Sequence, residues 1–374
     1  MEKKRIGTMT FHMAHNYGAM LQAYALPVAV QKLGHHCEVI DYRFPYIDQW
    51  GRVEFLKDLI AKHGMFGGML RYVKRLITGQ YSPDLMQMKF SKFEEKIIPR
   101  SLNIYCDKTE LEELPYDAIL FGSDQIWNSA LTNGEAPEYM GNFEVLPGTR
   151  KIAYAASCGS ADFQEESREA YMKYLQSFHA VGVREEVFAK TLNERGVEAY
   201  TVLDPTLLLT RDEWLQMTRR VKNRISVPKD YLLIYAFEED ERLYDVARSV
   251  AKERGLQIVA IAYKQKECMY NMQVLTNCGP AEFVELFANA QMVVTTSFHG
   301  TAFSIIMQRD FYCIPHPKYS ARTDSLLDLL GLQARNVVAL EDIGQAESLD
   351  WQCVTQKLNV CREESCAFLK NALE

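Results

Sequence analysis

The stretch that decides the fold is residues 292–306, MVVTTSFHGTAFSII. Its first apolar run predicts a buried strand, Ser297, His299 and Gly300 predict a turn, and the second apolar run predicts the start of a helix. Such a unit places its turn at the carboxyl edge of a parallel sheet, where backbone N–H groups and the helix dipole favour an anion. The same pattern also fits an ordinary turn with a solvated histidine.

Composition indicates a two-domain enzyme-sized chain. A chain of 374 residues is too long for a single hydrophobic core, which predicts two domains. Its net charge of −7 argues against a nucleic-acid-binding protein. Nine scattered cysteines without a Cys-x-x-Cys pair predict free thiols in a reducing compartment and no metal site. The N-terminus lacks a signal-peptide pattern, and the uncharged runs 6–31 and 289–308 contain too many polar residues for a bilayer. We therefore expect a cytoplasmic protein.

Strands alternating with helices predict two parallel-sheet domains, with ligands in the cleft between their carboxyl edges. We expect an N-terminal domain over 1–205 with a helical insertion at about 45–100, a C-terminal domain over 206–344, and a helix over 345–374 that packs back on the first domain. Predicted strands cover residues 4–11, 36–41, 116–121, 151–156, 180–183, 200–203, 231–237, 257–263, 291–295 and 311–314.

Two polar loops follow predicted strands of the first domain and suit a polyol or sugar. Asn16-Tyr17-Gly18 lacks the Gly-x-Gly-x-x-Gly pattern of a dinucleotide site, although Asn16 and Gly18 also fit a helix cap. The loop 122–128 brings together a carboxylate, two amides and an indole, from Asp124, Gln125, Asn128 and Trp127, and Gly122 allows close backbone approach. A cap by Ser123 or Asp124 explains only part of this loop.

Arg184 stands where a buried strand meets a helix start, a position at which a cation opposes the helix dipole. The charge needs either a carboxylate partner, Glu185 or Glu186, or a bound phosphate or carboxylate. Further along, Pro205 holds Asp204 in extended geometry, which predicts a rigid crossing between the domains.

Six segments, taken in order, resemble the polysaccharide pyruvyl transferase family over almost the whole chain. They are residues 16–26, 122–128, 153–157, 183–186, 203–208 and 297–300, which read NYGAMLQAYAL, GSDQIWN, AYAAS, VREE, LDPTLL and SFHG. The resemblance implies two Rossmann-like domains in a GT-B-like arrangement with the active cleft between them. It also implies transfer of pyruvate from phosphoenolpyruvate to hydroxyls of a sugar in a surface polysaccharide or cell-wall glycan precursor, which forms a ketal.

One position departs from the pattern of the family. Many members with assigned activity carry arginine two residues before the motif histidine, where this chain has Ser297. We expect Lys318 or Arg322 to supply the missing charge.

The resemblance assigns roles to the candidate residues. We expect His299 to act as acid or phosphate ligand, Arg184 as the anion clamp, and Asp124 as base or orienting group for the acceptor. The expected donor-binding residues are Arg184, Ser297, His299, Gly300, Lys318 and Arg322. The expected acceptor-binding residues are Asn16, Tyr17, Gln125, Trp127 and Asn128. Neither a metal nor a cofactor is expected, since phosphoenolpyruvate is itself the donor substrate.

Two other classes of protein also fit the sequence. One is a GT-B glycosyltransferase that uses a nucleotide sugar, and the other is a non-catalytic glycan-binding member of the family. For a transferase we expect a sugar or lipid-linked oligosaccharide acceptor, peripheral association with the inner face of the membrane, and no nucleic-acid partner. The sequence makes no prediction of oligomeric state.

Overall fold

The computed structural model describes residues 3–44, 64–67, 69–71, 73–74, 83–132, 136–221, 225–236, 240–315, 320–343 and 348–374. Its strands form two parallel sheets in series along the chain. The first has the order β3-β2-β1-β4-β5-β6-β7, and the second has the order β10-β9-β8-β11-β12.

The strands of the first sheet are β1 (Arg5–Met9), β2 (His36–Tyr42), β3 (Arg100–Tyr105), β4 (Ala118–Phe121), β5 (Arg150–Ala156), β6 (Ala180–Val183) and β7 (Ala199–Thr201). Those of the second are β8 (Tyr231–Tyr235), β9 (Gln257–Ile261), β10 (Gln273–Leu275), β11 (Met292–Thr295) and β12 (Asp310–Cys313).

Helices connect the strands of both sheets. They are α1 (Tyr17–Lys32), α2 (Pro83–Lys96), α3 (Lys108–Leu111), α4 (Ser129–Thr132), α5 (Glu165–Leu175), α6 (Glu186–Glu194), α7 (Pro205–Leu208), α8 (Arg211–Thr218), α9 (Glu241–Arg254), α10 (Pro280–Asn289), α11 (Phe298–Met307), α12 (Ala321–Leu330) and α13 (Trp351–Leu373). Four short 3₁₀ helices lie at Pro137–Met140, Glu267–Met269, Gln333–Arg335 and Leu340–Asp342.

Burial on both faces explains why the central strands read as continuous apolar runs. Every residue of β4 (AILF), β8 (YLLIY) and β11 (MVVT) is buried, as expected for parallel strands covered by helices on both sides. Helix α1 is also buried over most of its length, because it packs against the first sheet and also against α7 and α10. The apolar core is therefore continuous from one domain to the other.

The C-terminal helix α13 joins the two domains. The Arg362 guanidinium donates to the carbonyl oxygens of Leu207 and Leu209 at 2.6 and 3.0 Å, and the Ser365 hydroxyl accepts from Leu203 N at 3.0 Å. Gln308 of the second domain donates to the Thr355 hydroxyl at 3.1 Å. The helix thus contacts both the segment that ends the first domain and the second domain.

Two strands were not among those predicted. Strand β3 begins at Arg100, where the predicted helical insertion ends, and β10 is only three residues long. β3 is an edge strand on which Leu102 is fully exposed, so its sequence lacks the buried apolar run that marks the central strands. Residues 45–63, 68, 72 and 75–82 of the predicted insertion lie outside the described residues.

All nine cysteines are free thiols, of which Cys37, Cys158, Cys278 and Cys313 are buried. Within the described part of the chain, no helix combines the length and apolarity needed to cross a bilayer.

Candidate functional site

The turn between β11 and α11 sits at the carboxyl edge of the second sheet, as the sequence predicts. Ser297 is the N-cap of α11, where its hydroxyl accepts from Gly300 N at 3.4 Å. Gly300 has no room for a larger residue, because a Cβ there would lie 2.1 Å from Thr295 Oγ1. This tight turn fixes the direction in which the side chain of His299, the residue before Gly300, leaves the helix.

His299 points from the second domain into the first. A Cβ on Gly18 of α1 would lie only 2.0 Å from His299 Nδ1, so the imidazole packs directly on that glycine. On its other side, His299 Nε2 is 3.8 Å from Asp204 Oδ2. Burial lowers the pKa of His299, and Asp204 and Asp124 only partly offset this effect. The imidazole is therefore neutral at neutral pH in this state of the protein.

Arg184 follows β6 and is buried beside the same aspartate. Its Nη1 donates to Asp204 Oδ2 at 2.8 Å, and its Nε donates to Glu185 Oε1 at 3.4 Å. Glu185 is thus a partner, as the sequence suggested, but Asp204 is the nearer one. Although burial opposes the charge, the carboxylates of Glu185, Asp204 and Asp124 raise the pKa of Arg184 above its ordinary value.

Asp204, which was read from the sequence only as part of a rigid crossing, is the centre of the site. Besides Arg184, its oxygens accept from Ser123 Oγ at 3.3 Å and from Thr206 N and Oγ1 at 2.9 and 2.7 Å. Burial favours the neutral acid, but His299, Arg184 and the Thr206 bonds outweigh it and lower the pKa of Asp204. The signal that could have identified it is the segment 203–208, one of the six that carry the family resemblance.

Two buried nitrogens at this site lack a hydrogen-bond partner among the described residues. They are Nη2 of Arg184 and Nε2 of His299. Nη2 of Arg184 lies 4.0 Å from Oδ1 of Asp124, beyond hydrogen-bond distance. Buried polar groups are nearly always satisfied, so these two unsatisfied nitrogens, one of them on a guanidinium that can only donate, indicate a place for an acceptor such as a phosphate or carboxylate oxygen.

Arg322, at the start of α12, brings a second guanidinium to the site. Its Cζ lies 5.9 Å from the centre of the Phe298 ring, and Arg184 Cζ lies 5.0 Å from the same centre. With the side-chain oxygen of Gln125 turned towards it, Arg322 donates to that oxygen at 3.1 and 3.0 Å. Burial and the charge of Arg184 lower the pKa of Arg322. Lys318, the other predicted source of positive charge, lies outside the described residues.

Two of the predicted acceptor contacts need correction. Trp127 is buried among Phe163, Phe178 and Phe188, and its Nε1 donates to Tyr139 O at 3.1 Å. The indole is therefore a core side chain with no face left for a sugar.

Tyr17 is also buried. It stacks on Phe283 of the second domain, with ring centres 4.8 Å apart, and its hydroxyl donates to Cys278 O at 2.8 Å. It holds the two domains together instead of facing a ligand. An aromatic ring inside a polar loop signals burial as well as sugar binding, and the sequence does not separate the two.

The other predicted polar residues remain partly exposed at the cleft. Asn16 is the N-cap of α1 and accepts from Ala19 N at 3.1 Å. Asn128 accepts from Ala130 N at 3.1 Å and lies 2.7 Å from the Gln125 amide. Asp124 has a positive φ of 69° and a side chain only partly covered. These three retain exposed surface for a ligand.

No group of three or more His, Cys, Asp or Glu side chains is placed to hold a metal ion in the described ranges.

Comparison with known proteins supports both the fold and the family. A UDP-N-acetylglucosamine 2-epimerase crystal structure matches with a TM-score of 0.50 and 9% identity, covering 98% of this chain and 91% of the other. The UDP-GlcNAc 2-epimerase of Methanocaldococcus jannaschii matches with a TM-score of 0.47 and 12% identity over 96% and 93% of the two chains. The Escherichia coli heptosyltransferase WaaC with ADP matches with a TM-score of 0.39 and 11% identity over 85% and 89%.

These likenesses concern the fold alone, and the predicted two-domain, GT-B-like α/β architecture is confirmed. No curated protein sequence matches the chain. The family model described as polysaccharide pyruvyl transferase matches residues 16–318. The chain therefore belongs to the polysaccharide pyruvyl transferase family.

Proposed function

We propose that this protein transfers pyruvate from phosphoenolpyruvate to two hydroxyls of a sugar in a surface polysaccharide or cell-wall glycan precursor, forming a pyruvate ketal. One observation carries the proposal: two buried nitrogens beside Asp204, Arg184 Nη2 and His299 Nε2, have no hydrogen-bond partner among the described residues. In a chain of this family, that pair fits the phosphate or carboxylate of the donor.

The reaction sets the requirements that the site must meet. A proton adds to the methylene carbon of phosphoenolpyruvate, and one sugar hydroxyl attacks the resulting cationic carbon. The C–O bond to phosphate then breaks, and a second hydroxyl closes the ketal. Each hydroxyl loses one proton; one proton is retained as the new methyl hydrogen and the other leaves on phosphate. The protein must therefore bind two anionic groups, deliver a proton and accept protons from the acceptor.

His299 suits the delivery of the proton. It is neutral before the donor binds, because burial lowers its pKa. A phosphate placed against Nε2 would add an opposite charge and raise that pKa, so donor binding would draw a proton onto the ring. The imidazolium would then stand beside the substrate as an acid.

The charge of the protein groups at the site supports such a coupling. The guanidiniums of Arg184 and Arg322 face three carboxyl groups, those of Asp124, Glu185 and Asp204. A donor with a phosphate and a carboxylate adds further negative charge, so binding is expected to take up protons. Asp124, the most accessible of the three carboxyl groups, is our candidate to orient the acceptor or remove its proton.

Many family members carry an arginine at the position of Ser297. Arg322 is our candidate to supply that positive charge in this chain. Support comes from its place beside Phe298, next to Arg184, with its charge directed into the same cleft. An Arg322→Ala variant should bind phosphoenolpyruvate at least tenfold more weakly, since a charged hydrogen bond contributes about 1.5–3 kcal/mol. Unchanged donor binding in that variant, with loss of binding in His299→Ala, would refute the compensation.

The experiment that tests the function is a thermal-shift titration followed by product analysis. Phosphoenolpyruvate should raise the melting temperature, whereas UDP-N-acetylglucosamine should not. Glycan precursors incubated with protein and phosphoenolpyruvate should gain the mass of pyruvate less one water, and release phosphate. A shift with the nucleotide sugar alone would favour a glycosyltransferase, and no shift with either would favour a non-catalytic glycan-binding role. We place the reaction in the cytoplasm.

A further inference from the structure

A group of exposed apolar side chains lies in the segment before α2. Met65, Phe66, Met69, Leu70 and Val73 are between 42% and 84% exposed. The backbone is helical at 64–67, 69–71 and 73–74. On a helix the spacing of these five residues places them on one stripe. Elsewhere on the described surface, exposed large apolar residues are mostly scattered along the chain, which is ordinary. A contiguous stripe indicates a contact surface.

The segment that contains this stripe is basic, although the protein as a whole is acidic. No Asp or Glu occurs between Asp58 and Asp84, whereas Lys62, Arg71, Lys74 and Arg75 are basic. The chain as a whole has a net charge of −7. Arg71 and Lys74 are exposed beside the apolar stripe. The surface therefore combines apolar and basic character, which complements a sheet of acyl chains beneath anionic headgroups.

The glycines of the segment favour a helix that depends on its surroundings. Residues 64, 67 and 68 are glycine, the residue that weakens a helix in water more than any except proline. Short helices are marginal in water and gain most of their stability from packing an amphipathic face. A bilayer interface supplies such packing.

We propose that this segment docks on the surface of a bilayer that contains anionic lipid, with the apolar stripe at the headgroup–acyl boundary and the basic side chains on lipid phosphates. A second copy of the chain suits the surface less well. A two-fold contact would bring Arg71 and Lys74 of each copy together, and like charges oppose that contact.

The docked segment is connected to the wall of the cleft. Eight residues, 75–82, separate Lys74 from the start of α2 at Pro83. The Phe90 ring of that helix lies 5.3 Å from the His15 ring and 5.0 Å from the Tyr17 ring at the start of α1. If the proposed transfer is correct, this connection would present the cleft to an acceptor carried by a membrane lipid. The docking itself does not depend on the reaction.

Vesicle flotation with the full-length protein tests the proposal. The protein should float with vesicles of phosphatidylcholine and phosphatidylglycerol, and much less with phosphatidylcholine alone. Phe66→Ser with Leu70→Ser should lower the bound fraction at least tenfold, and Arg71→Glu with Lys74→Glu should do the same. Leu102→Ser, which removes a still more exposed leucine from β3, is the matched control and should bind as the wild type does.

All of these side chains are exposed, so each variant should fold, and an unchanged melting temperature would verify that. Binding of Phe66→Ser/Leu70→Ser equal to that of the wild type would overturn the proposal, as would wild-type protein that binds neither vesicle. A change from dimer to monomer on sedimentation of that variant, without loss of vesicle binding, would assign the stripe to a second copy instead.

Discussion

Two buried histidine–aspartate pairs occur among the described residues, and they differ in how completely their polar atoms are satisfied. In the first domain, His12 Nε2 lies 3.2 Å from Asp41 Oδ1, and its Nδ1 lies 3.2 Å from Thr10 O. Asp41 also accepts from Arg43 at 3.0 and 3.1 Å and from Arg100 at 2.7 Å. In the cleft, His299 Nε2 is 3.8 Å from Asp204 and has no hydrogen-bond partner among the described residues.

The difference separates a structural cluster from a candidate binding site. The His12–Asp41 pair uses both ring nitrogens and both carboxylate oxygens, so it fixes β1, β2 and β3 to one another and leaves nothing for a ligand. The His299–Asp204 pair and the neighbouring Arg184 keep donors unused, although leaving a buried donor unsatisfied costs about 1–3 kcal/mol. Such a cost is expected where a ligand completes the network.

The largest effect should come from replacing the two side chains that carry unsatisfied nitrogens without unfolding the protein. His299→Gln removes the group that can be protonated, and Arg184→Lys replaces the guanidinium fork with a single ammonium, so each should lower pyruvyl transfer by roughly 10²–10³-fold. Arg184→Lys keeps the charge next to Asp204, which an alanine would leave buried and unpaired. Steady-state turnover with phosphoenolpyruvate measures the effect. His12→Gln is the matched control and should retain turnover within a few-fold; a His299→Gln enzyme as active as this control would refute the assignment.

Replacing the two aspartates should separate stability from function. Asp41→Asn leaves Arg43 and Arg100 with a neutral partner, and because both are partly exposed we expect a loss of roughly 2–3 kcal/mol in unfolding free energy. Turnover of the folded fraction should not change. Asp204→Asn should lower turnover about tenfold or more and change its pH profile, since Asp204 positions Arg184 and influences the titration of His299.

Urea unfolding and pH–rate profiles measure the two quantities. An Asp204→Asn variant with altered stability but an unchanged pH profile would mean that Asp204 is only structural.

A smaller and more local effect is expected at Gly18. The Cβ that Gly18→Ala adds would lie 2.0 Å from His299 Nδ1, so the imidazole has to move. Turnover should fall by about one order of magnitude, because a displacement of about 1 Å at a catalytic group is enough to do so. Gly7→Ala is the control. Gly7 lies in β1, and the added Cβ would come within 2.7 Å of Cδ1 of Ile40 in β2, away from His299. It should cost stability and leave turnover intact; equal loss of turnover in both variants would contradict the account.

The smallest effect is on the pH dependence of stability. The folded-state pKa of His299 is lowered from the ordinary value of 6.5, so the unfolded chain binds more protons below that pH. Stability from this source is fully present above pH 6.5 and is lost as pH falls through the folded pKa. The pKa of Asp41 is also lowered, from 3.8, so its contribution is lost only in stronger acid. His299→Gln should therefore lose less stability than the wild type between neutral pH and pH 5, as measured by urea unfolding.

The sequence predicts the parts of the fold that are marked by burial. Continuous apolar runs identified β4, β8 and β11, and the short polar segments that follow β6 and β11 identified Arg184 and His299 as residues at sheet edges. The structure brings these two together around one aspartate. Edge strand β3, with its exposed Leu102, has no such pattern and was missed.

The roles of the other site residues depend on long-range contacts. Asp204 is the common partner of residues that are 20 and 95 positions away, and nothing in its neighbours Leu203 and Pro205 shows those contacts. Trp127 has the polar neighbours of a sugar-binding residue, but its ring packs on Phe163, Phe178 and Phe188, which come from later in the chain. Side-chain direction at a loop is set by packing, which local sequence does not contain.

The central claim is that Arg184 and His299 form the binding site for the anionic donor. Calorimetric titration of phosphoenolpyruvate tests it most directly, carried out in two buffers of different ionisation enthalpy with the wild type, Arg184→Lys, His299→Gln and His12→Gln. We predict saturable binding with net proton uptake for the wild type and His12→Gln, at least tenfold weaker binding for Arg184→Lys, and no proton uptake for His299→Gln. Equal affinity and equal proton uptake in all four proteins would contradict the account.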